Sequence, residues 1–75
     1  MRDKLLAILE EIRPDVDFEN ENLLVDGGVL DSFDIISIAA DLNENFDIEI
    51  DVEELEPYNF NTVDAMLALI EKLSN

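Results

Sequence analysis

Neither cysteine nor histidine occurs among the 75 residues. The first absence excludes disulfide staples, thiolate metal ligands and a cysteine nucleophile; the second removes the usual base for activating a serine. No apolar run exceeds a few residues, far short of the roughly 20 that cross a bilayer. Met1 is followed by a mixed charged segment where a secretory leader would be apolar. These absences lead us to expect a cytoplasmic protein without membrane insertion. A hydrophobic content of 48% in so short a chain predicts a single domain over residues 1–75, near the lower limit at which one core suffices.

Basic residues are nearly as scarce. Four Lys and Arg face 20 Asp and Glu, a formal charge of -16. Arg2, Lys4, Arg13 and Lys72 all lie near the ends; the 17 acids other than Asp3, Glu10 and Glu11 occupy the cation-free stretch between residues 14 and 71. Such a surface repels nucleic acid and anionic lipid, steers basic partners inward and favours a monomer when no partner is present. The aliphatic residues are too many, and too regularly spaced, for disorder.

Residues 3 to 13, DKLLAILEEIR, set Leu5, Ile8, Leu9 and Ile12 at helical spacing, and Pro14 ends that helix. The 18 residues from Pro14 to Asp31 show no sustained period, with Phe18, Leu23, Leu24, Val29 and Leu30 as apolar anchors. A helical turn is expected near Glu21 to Val25, then a tight turn at Gly27-Gly28. The second helix should span Ser32 to Phe46, capped by Asp31 with Asp34 three residues on. The alternating FDIEIDV has no second strand to pair with, so it is read as an extended connector whose Ile48, Ile50 and Val52 turn inward. A short helix over Asp51 to Leu55 and a last helix capped by Asn61 complete the chain, the latter burying Val63, Met66, Leu67, Ile70 and Leu73. The expected class is all-α: a small four-helix bundle with three long helices, one short helix and a long first loop.

The second helix carries two apolar stripes. Ile35, Ile38, Ala39, Leu42 and Phe46 fall within about 100° of arc and suit a core. Phe33, Ile36 and Ala40 form another stripe, with Ser32 at its head and Glu44 beside it. Either the long loop closes over this second stripe, or it is an exposed strip with an acidic rim on which a partner docks.

Chemistry narrows the role of Ser32. Without histidine, serine catalysis by this chain alone is not expected, and scattered carboxylates in 75 residues leave little room for a substrate cleft. DVDFENENLLVD, from Asp15 to Asp26, partly echoes a calcium loop, but Asn20 takes the glycine position and Asp26 that of the bidentate glutamate. No intrinsic metal site is expected. Ser32 is then either a helix cap or a modified residue, whose phosphate ester would meet the free N–H groups of the first helical turn. An acidic interaction module that needs the charge but not the hydroxyl is the competing class.

Gly28, the pair Val29-Leu30, Asp31-Ser32 and the acidic helix ending in Asn45-Phe46-Asp47 together resemble the acyl carrier protein family, and the similarity covers nearly the whole chain. The resemblance implies that Ser32 carries 4′-phosphopantetheine, transferred from coenzyme A by a separate magnesium-dependent phosphopantetheinyl transferase. The arm's thiol would hold an acyl or aminoacyl group as a thioester, so a cysteine-free chain could still take part in thiol chemistry. By the same resemblance Asp31 helps to place the transferase metal, and Phe33, Asp34, Ile36, Ala40 and Glu44 form the surface that partners recognise. Phe33 stands where the fatty-acid carriers generally have leucine, and Ser37 where they have glutamate; Asn43 and Asn45 dilute the acidity. "GVLDSFDII" also looks like stand-alone carriers that receive D-alanine or another small acid from an adenylating ligase. The implied partners are therefore the transferase and either fatty-acid or polyketide-type synthesis enzymes or a dedicated ligase.

Overall fold

Apolar residues at helical spacing build the expected bundle. The computed structural model describes residues 1–74 and contains α1 (Arg2–Ile12), α2 (Ser32–Phe46), a single 3-10 turn (Val52–Glu54), α3 (Pro57–Phe60) and α4 (Val63–Ser74). No strand occurs among the described residues. α1, α2 and α4 pack on one another, and the short α3 lies against α4. Leu5 and Leu9 from α1, Ile38 and Leu42 from α2, and Met66 and Ile70 from α4 are fully enclosed. Leu24 in the long loop and Phe60 in α3 close the same core.

The long loop is pinned from both sides. Phe18, Leu24 and Leu30 are buried, whereas Leu23, expected as an anchor, stays 52% exposed. The helical turn foreseen at Glu21 to Val25 sits slightly later, where the Gly27 N–H donates to the Leu23 carbonyl at 2.7 Å. A side chain at Gly27 would lie 2.5 Å from that carbonyl oxygen, and Gly28 has φ of 79°, so each glycine meets a separate demand of the turn.

Four expectations need correction in the second half. The short helix foreseen over Asp51 to Leu55 is only the 3-10 turn Val52–Glu54, and the short α-helix lies later, at Pro57–Phe60. Proline suits the first helical position, where no N–H is required, and Pro57 opens the short helix there. Val52 points outward at 83% exposure, because the turn that starts there breaks the alternation set by Ile48 and Ile50. Asn61 does not cap α4: Thr62 Oγ1 accepts from the Ala65 N–H at 3.0 Å in that role. Asn61 instead holds the long loop. Its Oδ1 accepts from the Val25 and Asp26 N–H groups, each at 3.0 Å, its Nδ2 donates to Asp26, and its carbonyl accepts from the Leu24 N–H. In α4, Leu69 is buried while Leu67 and Leu73 are only half-buried.

Candidate modification site at the start of α2

Ser32 is the first residue of a 15-residue helix, and the cap on that helix is Asp31. Asp31 Oδ1 accepts from the Asp34 N–H at 2.9 Å, and Asp34 Oδ2 accepts from the Asp31 N–H at 3.2 Å, closing the reciprocal capping box. Asp31 serves the third N–H of the helix, and those of Ser32 and Phe33, which helix geometry leaves without an intrahelical partner, have none among the described residues. The Ser32 side chain is exposed, and no described residue hydrogen-bonds its hydroxyl. Serine as cap is thereby excluded, and its hydroxyl faces solvent at the positive end of the helix dipole.

The second stripe of α2 is open. Phe33 is 80% and Ile36 57% exposed, so the loop does not close over them; Ala40 and Glu44 are exposed on the same helix. The first stripe divides as a core face does: Ile38, Ala39 and Leu42 are buried, with Ile35 and Phe46 partly so at its ends. Beside the serine, Ser32, Ile35, Ile36 and Leu55 line a shallow open cleft of about 190 Å³.

Folding brings Arg13 from the end of α1 to this site, an arrangement not read in the sequence. Its guanidinium donates to Asp34 Oδ2 at 2.6 Å and to the Val29 carbonyl at 3.2 Å, and it grips both oxygens of Asp15 at 3.0 and 3.1 Å. These hydrogen bonds, those to Asp15 foremost, raise the arginine still further above its ordinary value. They also hold the Asp15 carboxyl below the usual aspartate range. That contribution to stability is present above the unfolded aspartate value and is lost as pH falls through the lowered one. Asp34, at 15% side-chain exposure, is therefore an ion-paired structural acceptor as well as a residue of the α2 surface. Leu55, unremarked in the sequence, joins the cleft wall because the 3-10 turn returns the chain toward α2. Contact between these distant segments leaves no local periodic signal.

A small acidic helical bundle that presents a serine at the start of a helix beside an apolar strip, with neither histidine nor cysteine, has the parts of a protein that enzymes modify and handle. The chain belongs to the phosphopantetheine attachment site family, which it matches over residues 3–70. It is 29% identical over 75 residues to the D-alanyl carrier protein of Bacillus cereus (strain B4264), covering 96% of this chain and 94% of that relative. The D-alanyl carrier protein of Bacillus anthracis (strain CDC 684 / NRRL 3495) shows the same identity and coverage. No solved structure gives a significant match. By family this is a non-catalytic carrier protein whose prosthetic group is covalent 4′-phosphopantetheine. Among the described residues no helix is long and apolar enough to cross a membrane.

Proposed function

We propose that Ser32 bears the 4′-phosphopantetheine arm and that the chain carries a small amino or carboxylic acid on it, with D-alanine the first candidate. The observation that carries this reading is the exposed, unbonded Ser32 hydroxyl at the first turn of α2, next to two free N–H groups. These residues suit a phosphate ester: the N–H groups and helix dipole favour the anion, and Arg13 already compensates Asp34. When bound, the arm supplies the thiol that holds cargo as a thioester.

The rest of the site has matching roles. Asp31 spends one oxygen on the cap, and its other oxygen has no partner among the described residues, which leaves it able to face a magnesium ion brought by the transferase. Phe33, Ile36 and Ala40 provide an apolar strip for the transferase and for the enzyme that loads the cargo, with Glu44 as an acidic edge. Asp34 contributes by fixing the turn that displays Ser32. Small cargo is supported by the likeness to D-alanyl carrier proteins and by the shallowness of the open cleft beside Ser32, about 190 Å³. An adenylating ligase is the loading partner this implies.

The cargo is tested on the loaded chain with ATP and purified ligases or synthases. A thioester formed with D-alanine by a D-alanine-activating ligase, and none with a medium-chain fatty acid, supports the small-acid reading. Efficient charging with fatty acid alone would assign the chain to fatty-acid supply.

A further inference from the structure

Resting on the assignment of Ser32 as the attachment residue, we propose that Arg13 is a positioning residue for the modification. It holds Asp34 so that the turn displaying Ser32 stays capped and one of the two adjacent negative charges is compensated while the arm is installed.

The reaction shows why this matters. The Ser32 oxygen bonds to the phosphorus that carries pantetheine in coenzyme A, the bond from that phosphorus to adenosine 3′,5′-bisphosphate breaks, and the hydroxyl proton passes to a base on the transferase. A phosphodiester anion is thus created beside Asp31 and Asp34. One oxygen of Asp34 does two things at once: Oδ2 accepts the Asp31 N–H and the Arg13 guanidinium, the latter at 2.6 Å. The same arginine donates to the Val29 carbonyl, three residues before Ser32, and is itself anchored by both oxygens of Asp15. Its planar fork therefore ties the end of α1, the last residues of the loop and the first turn of α2 into one unit. No other cation stands by to replace it. Arg2 pairs with Asp64, Lys72 with Glu54, and Lys4 lies at the opposite end of α2, donating to the Asn45 carbonyl. Asp31 is left uncompensated, as a carboxylate that must face the transferase metal should be.

The test compares transferase kinetics, with coenzyme A and magnesium, for wild type, Arg13→Ala, Arg13→Gln, Arg13→Lys, and Arg13→Ala in an Asp34→Asn background. Each chain is assayed at a temperature where circular dichroism shows it folded. Of the hydrogen bonds that Arg13→Ala removes, the charge-assisted one to Asp34 bears on the Ser32 turn, and its loss corresponds to about a tenfold fall in loading. The loss should fall on kcat, with KM for the carrier little changed, because the strip of Phe33, Ile36 and Ala40 is untouched. Arg13→Lys should recover part of the rate and Arg13→Gln little of it. In the Asp34→Asn background, whatever its own rate, adding Arg13→Ala should cost no more than about twofold, since no charge remains at Asp34 to compensate. Equal loading of wild type and Arg13→Ala would overturn the inference, as would an equal loss in both backgrounds. If Arg13→Ala does not fold, near-wild-type loading of Arg13→Gln would overturn it instead. A wild-type chain that takes no arm would overturn the assignment of Ser32 itself, which the other outcomes leave standing.

Discussion

At the scale of residues, Asp31 and Ser32 divide two tasks that a serine at a helix start often combines. Asp31 caps, and Ser32 is left with a hydroxyl that stabilises nothing in the described chain. Ser32→Ala should therefore change stability by less than about 0.5 kcal/mol, the range of surface substitutions that remove no contact. Asp31→Ala removes a cap and should cost about 1 kcal/mol. Urea unfolding of the two variants checks this, and the opposite order would return Ser32 to the cap. The identity of the cap could be read locally, because its partner Asp34 lies three residues away. The Arg13–Asp34 pair could not: its members are 21 positions apart, and neither carries a local pattern that points to the other.

At the scale of elements, α2 is a helix with two working faces. The inner face is fixed by burial, so Leu42→Ala should cost about 2–5 kcal/mol. Ile36→Asp on the outer face should change stability little while impairing recognition by transferase or ligase, measured as a rise in KM. Severe unfolding of Ile36→Asp would show that face to be structural. The far end of α2 is less well made. Asp47 adopts φ of 53°, a left-handed conformation suited to glycine, and it places an acid at the negative end of the helix dipole. Asp47→Gly should thus raise stability by about 0.5–1 kcal/mol, seen as a higher melting temperature; a lower one would mean that the aspartate side chain supports the turn. The three long helices and both stripes of α2 were legible because helical period repeats over many residues. The segment from Asp51 to Thr62 was not, because four-residue helices have no period to read. There Pro57 suited a start as well as a stop, and the two cap-competent neighbours Asn61 and Thr62 were sorted only by a loop 35 positions away.

At the scale of the whole molecule, charge sets the behaviour. α2 has no basic residue in its own last turn, and Lys4 of α1 brings a cation there: it donates to the Asn45 carbonyl and lies 4.8 Å from the centre of the Phe46 ring. With all four cations engaged inside the fold, the net -16 is spread over a body of 30 × 25 × 19 Å. At about 0.01 M salt the screening length, about 30 Å, spans the molecule; at about 0.15 M it falls to about 8 Å, and only neighbouring acids still repel. Raising salt across this range should increase the melting temperature by about 4–8 °C, equivalent to about 1 kcal/mol in a domain of this size. A flat melting temperature would mean that the acids lie too far apart to matter. The same field favours partners with basic edges around an apolar groove, complementary to the strip of Phe33 and Ile36.

The central claim, that this chain is a carrier armed at Ser32, is tested most directly by intact mass before and after incubation with coenzyme A, magnesium and a broad-specificity phosphopantetheinyl transferase. We expect the wild type to gain the mass of one phosphopantetheine and Ser32→Ala, equally helical by circular dichroism, to gain none. An unchanged wild type beside a known carrier converted in the same tube, or a mass gain retained by Ser32→Ala, would contradict it.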